Sequence, residues 1–217
     1  MAEFAAVAGQ LSPLARLALA YAPAPAREDW LTLLALDARL AGVVRSAREP
    51  VLAQLRLAWW RDRFAADPAS WPSGEPLLAR LASWRLVSEL GALVDGWEAL
   101  LGEPPLDAAA LTEFAAGRGR AMAALAARLE ADVAVSEAGA RRWALADLAL
   151  HVGDPSEREA ARQLLGEIGP SGRTARTMRP LAVLAGLTER AVRRGHSEAL
   201  SGPGALFAAI RLGIAGS

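Results

Sequence analysis

Asp147, His151 and Asp154 stand at i, i+4 and i+7, a spacing that brings two carboxylates and an imidazole to one helix face as acid, base or metal ligands. Gly153 and Pro155 end that helix inside the motif, and the dipole alone stabilises a histidine near a helix C-terminus. The cluster therefore reads as capping. Arg45, Arg48 and Arg56 are a second chemistry-bearing set, guanidinium groups able to grip a phosphate through paired hydrogen bonds. The alternative is that they stay solvated or pair with neighbours such as Glu49. Arg56 stands one helical turn from Trp60, close enough to stack on it. Gly117-Arg118-Gly119-Arg120 has the outline of a phosphate loop but lies in an alanine-rich helical pattern, where small residues let helices approach closely. His196, after Arg193-Arg194-Gly195, reads as a loop residue.

Composition narrows the chemistry further. The chain of 217 residues is 53% apolar and 22% charged, a profile that forms a core rather than a disordered or membrane-spanning chain. It has no cysteine, which excludes disulfides, thiolate metal sites and cysteine nucleophiles. All 24 basic residues are arginine, and 24 acids balance them. A net charge of zero argues against a general nucleic-acid binder. Without lysine there is neither a Walker A loop nor a Schiff base. Two histidines and no Gly-x-Ser-x-Gly elbow leave no catalytic triad. The N-terminus lacks the positive region of a secretory signal, and the apolar stretch 203–213 is too short to span a bilayer. The expectation is a cytoplasmic protein.

Helical periodicity dominates, without alternating Val, Ile or Thr runs, so the chain is expected to be all-α and a single domain over 1–217. Proline and glycine punctuation places helices near 4–20, 27–47, 50–66, 75–91, 92–101, 107–131, 136–152, 156–168 and 173–194, with a short one at 203–213. The second of these carries two stripes: Leu33, Leu36, Leu40 and Val43 are apolar, while Asp37, Ala41, Arg45 and Arg48 are small or charged. Such a helix can pack with one face and line a cavity with the other. Six of the seven tryptophans, Trp30, Trp59, Trp60, Trp71, Trp84 and Trp97, fall in the first half and read as core or rim anchors.

Taken together, Tyr21-Ala22-Pro23, Leu34-Ala35-Leu36-Asp37-Ala38-Arg39-Leu40-Ala41, Arg48-Glu49-Pro50 and Gln54-Leu55-Arg56-Leu57-Ala58-Trp59-Trp60-Arg61-Asp62 resemble the squalene/phytoene synthase family. The resemblance covers about residues 15 to 65 closely and the rest faintly. It lies nearest the family's non-catalytic branch, which includes a mitochondrial assembly factor of respiratory complex I. It implies an all-α isoprenoid-synthase bundle around a central cavity.

In active members two aspartate-rich motifs hold Mg²⁺ against prenyl diphosphates, because hard cations need carboxylate oxygens. The first motif would fall here on Ala41, Gly42 and Arg45, and none is acidic. The second would fall near 165–180, which contains Glu167 and no aspartate. Asp37 stands alone, and no Asp-x-x-x-Asp occurs anywhere in the chain.

The resemblance thus implies a catalytically inactive protein acting by binding, an assembly or stability factor for a membrane-associated respiratory complex. Its cavity candidates are Asp37, Ala41, Arg45, Arg48, Arg56 and Trp60, with no catalytic or metal-binding residue and no cofactor. Its partner is expected to be a protein or an isoprenoid or lipid ligand, with peripheral membrane contact and no nucleic acid. The alternatives are an isoprenoid or lipid carrier, with the arginines holding the anionic head, or a prenyltransferase of isoprenoid, carotenoid or hopanoid biosynthesis that uses Mg²⁺.

Overall fold

Short polar residues and prolines set where the helices start. Ser12, Glu75, Asp107, Asp132 and Asp154 each turn a side-chain oxygen onto a backbone N–H of the following first turn, satisfying donors that the helix cannot. Pro13, Pro50, Pro76 and Pro155 occupy first-turn positions, where a missing N–H is harmless. In the computed structural model, which describes residues 7, 9, 11–195, 208, 209, 212 and 213, these signals give nine α-helices among the residues of 11–195. They are α1 (Pro13–Ala20), α2 (Arg27–Arg45), α3 (Pro50–Ala65), α4 (Pro76–Leu81), α5 (Gly91–Ala99), α6 (Ala108–Arg128), α7 (Val133–His151), α8 (Pro155–Glu167) and α9 (Arg179–Arg194). No strand occurs among the described residues. Helix α9 ends at Gly195, whose φ of 76° is a left-handed conformation that glycine adopts freely.

The packing is all helix on helix: α6 lies between α5 and α7, α7 also contacts α8 and α9, α3 packs on α5, and α1 on α9. The buried apolar side chains form one contiguous cluster. The contact of α5 with α6 requires glycine. A Cβ on Gly117 would lie 2.3 Å from the Ala92 carbonyl oxygen, and one on Gly96 would lie 3.1 Å from Phe114 Cα. Gly117, beside Arg118, thus serves close helix approach, as the alanine-rich context suggests.

Polar clamps reinforce this packing. Arg61 of α3 donates to Asp95 (2.7 Å) and to Glu98 of α5. Arg142 of α7 forms a two-pronged pair with Glu189 of α9 (2.9 and 2.8 Å) and also donates to the Ile168 carbonyl. Trp30 of α2 donates its indole N–H to the Thr177 carbonyl at 2.8 Å, and buried Glu157 of α8 accepts from the Leu106 amide at 2.7 Å.

Three expectations need correction. The helix expected over 75–91 stops at Leu81 and gives way to a 3-10 turn over Val87–Leu90, because Ser83 interrupts the local apolar pattern and Trp84 folds back into the core. The helix expected from 173 starts only at Arg179, after a 3-10 turn at Arg176–Met178. The small-and-charged stripe of α2 does not line a cavity as expected: Asp37 and Ala41 are buried together with Trp30 to Leu36 and Leu40, while Ala38, Arg39, Gly42 and Val43 form the open side of the helix. His196 and most of the segments 4–10 and 203–213 lie outside the described residues. Among those described, no helix is long and apolar enough to cross a membrane.

Candidate functional site

Three helices each carry one charged residue on an otherwise apolar stripe, and a charge facing the core is tolerated only when paired. On α2 it is Asp37, between Leu33 and Leu40. On α6 it is Arg118, in line with Leu111, Phe114, Met122 and Leu125. On α7 it is Asp147, one turn after Trp143. The bundle brings all three together. Arg118 donates Nε (3.1 Å) and Nη2 (2.8 Å) to the two carboxylate oxygens of Asp37, and Nη1 to Asp147 Oδ2 (2.8 Å). Trp97 of α5 completes Asp37 with an indole N–H at 2.9 Å.

The guanidinium is enclosed by rings as well as by carboxylates. Its carbon lies 4.2 Å from the Trp143 ring centroid, 4.7 Å from Phe114 and 5.2 Å from Trp97, distances at which the π faces attract a cation. The Arg118 side chain is only 5% exposed. Burial opposes its charge, but the two carboxylates outweigh that cost and raise its pKa above the ordinary value.

At the outer end of the cluster, His151 Nδ1 lies 3.1 Å from Asp147 Oδ1 and 2.8 Å from the Asp147 carbonyl. Burial opposes ionisation of Asp147, yet the Arg118 charge and the bond from His151 hold its pKa at about 2. The same bond, against partial burial, raises the pKa of His151. The cluster carries two carboxylates and one guanidinium, so protonation of His151 brings it to neutrality. Asp154 takes no part, because it caps α8 by accepting from Ser156 and Glu157.

Chemically, this is a clamp. Both Asp37 oxygens are engaged, arginine does not release its proton at physiological pH, and the reachable titrating group is the His151 imidazole. Among the described residues, no group of three or more His, Cys, Asp or Glu is placed to hold a metal ion.

The sequence candidates separate into two groups. Asp37 and Ala41 are buried on α2, and Asp37 faces Arg118 and Trp97 rather than open space. Trp60 is also buried, edge-on to Trp59 at 5.0 Å and against Phe64 at 5.8 Å. The expected Arg56–Trp60 stack is replaced by Arg63 over Trp59 at 5.9 Å, because Trp60 turns inward while Arg56 turns outward. Arg45, Arg48 and Arg56 are exposed, and among the described residues no ion pair ties them down. Arg56 lines an open cavity of about 330 Å³ with Ala38, Arg39, Gly42, Val43 and Ser46. Ala41 and Gly42, neighbours in sequence, thus lie on different surfaces: one in the core, one at this cavity.

Arg118 and Asp147 are the residues that sequence reasoning did not join to Asp37. The available signal was an arginine at a core position of an amphipathic helix, which demands acidic partners on neighbouring helices. Comparison of the chain with protein-family models, with curated proteins and with solved structures gave no match.

Proposed function

We propose that this protein is a non-catalytic helical binding protein of squalene/phytoene synthase type, acting as an assembly or stability factor for a membrane-associated respiratory complex. The observation that carries the reading is the fate of Asp37. It is the carboxylate nearest the place of the first aspartate-rich motif, and it spends its oxygens on Arg118 and Trp97. A diphosphate–Mg²⁺ site needs carboxylates free to ligate, and the motif positions Ala41, Gly42 and Arg45 supply none. The outward side chains of α3, Val51, Leu52, Leu55 and Trp59, give a binding protein something to bind with.

The test is deletion of the gene in its source organism, followed by native electrophoresis of membranes and extraction of isoprenoids. The reading predicts less assembled respiratory complex with unchanged isoprenoid pools. Loss of a C30 or C40 isoprenoid with intact complexes would overturn it.

A further inference from the structure

The solvent-facing side of α3 is apolar where a surface helix is ordinarily polar. Val51 is 64% exposed, Leu52 50%, Leu55 63% and Trp59 38%. At 3.6 residues per turn these four fall within an arc of about 100°. Ala53, Leu57, Trp60 and Phe64 bury the opposite face in the core. The helix therefore has two apolar faces, of which the protein covers one. Exposed single leucines need no explanation, but a contiguous stripe does.

What surrounds the stripe identifies its occupant. Arg45 and Arg48 are exposed in the segment that leads into α3, Arg56 is exposed on α3, and Arg63 lies over the Trp59 ring. The stretch 45–63 holds five arginines and two acids, Glu49 and Asp62, the latter at the C-terminal end of the stripe itself. Arg61 is paired with Asp95 and Glu98, which leaves four arginines against two carboxylates in a chain whose net charge is zero. A convex helix with Leu and Val at its crest, Trp at its margin and arginines along its flank matches a surface that is apolar beneath and anionic on top.

We infer that the outward face of α3, with Val51, Leu52, Leu55 and Trp59 at its crest and Arg45, Arg48 and Arg56 beside it, docks this protein onto an anionic lipid bilayer. The apolar side chains enter the boundary between headgroups and acyl chains, and the guanidinium groups remain at the phosphates. The cavity lined by Arg39, Ser46 and Arg56 opens beside this face and offers donors to a headgroup. The inference does not depend on which complex, if any, the protein assists.

The test is co-sedimentation of the full chain with phosphatidylcholine vesicles, with and without phosphatidylserine, together with tryptophan emission. Binding is expected to the serine-containing vesicles, with a blue shift that disappears in Trp59→Phe, and to weaken as salt is raised. Leu52→Glu/Leu55→Glu should abolish binding while leaving the helical circular dichroism intact. Arg48→Gln/Arg56→Gln should weaken it about thirtyfold, from about fivefold for each arginine near an anionic surface. Equal binding to both vesicle types, or binding that survives Leu52→Glu/Leu55→Glu, overturns the proposal. So does failure to bind either vesicle, which would assign the stripe to a groove on a protein partner.

Discussion

Replacing Arg118 by methionine removes the one cation that two inward-facing carboxylates share. Asp37 loses two of its three hydrogen bonds and keeps only Trp97, while Asp147 keeps only His151. Removing one partner of a buried ion pair costs about 3–5 kcal/mol, because the remaining charge is stranded, and the lost contacts with three rings add to this. A destabilisation of about 4 kcal/mol lowers the folded-to-unfolded ratio roughly a thousandfold. With a urea slope of about 2.5 kcal/mol per M, the midpoint should fall by about 1.6 M, read by circular dichroism and tryptophan emission in parallel. The double variant Asp37→Leu/Arg118→Met should be more stable than the sum of the two single changes by about 2 kcal/mol, since it removes both charges together. A shift below about 0.5 M for Arg118→Met, or additive effects in the cycle, would refute the clamp.

The remaining predictions concern pH and packing. Asp147 has a folded pKa of about 2 against an ordinary 3.8, so it contributes about 2 kcal/mol of stability above pH ~4, lost as pH falls toward 2. Asp147→Asn should flatten that acid limb of a stability-versus-pH curve. His151 is shifted upward from 6.5, so its contribution is complete below pH 6.5 and disappears as pH rises through the folded value. His151→Gln should remove this alkaline loss and also make the acid limb shallower, because the His151 bond helps Arg118 hold Asp147 down. Gly117→Ala drives a Cβ into the Ala92 carbonyl and should cost about 1–3 kcal/mol in chemical denaturation, as overpacking does. Alanine at Gly153, which has open space around it, should be close to neutral.

Much of the fold was legible because its punctuation is local. Asp154-Pro155 and Glu49-Pro50 act on the next few residues alone, and helices α3 and α8 begin where those signals put them. The break after Leu81 was not legible, because it depends on Trp84 finding a place among distant side chains. The site was legible only in part. Asp37 stood out as an unaccompanied carboxylate on α2, but its partner lies 81 residues away and was masked by two glycines, Gly117 against α5 and Gly119 against α7. Arg118 meets Asp37 through tertiary packing, and no local spacing announces it. Arg45, Arg48 and Arg56 share one sequence neighbourhood with Asp37, yet the last turn of α2 and the segment after it bring them to the surface while Asp37 stays within.

The most direct test of non-catalytic character is a thermal-shift titration with farnesyl and geranylgeranyl diphosphate, each in Mg²⁺ and in chelator. A ligand present at about 100 times its dissociation constant adds roughly 2.7 kcal/mol to stability, a readily measured rise in Tm. With Asp37 held by Arg118 and Trp97, any stabilisation should be the same with and without Mg²⁺. A shift that appears only with Mg²⁺, accompanied by released pyrophosphate, would contradict the account.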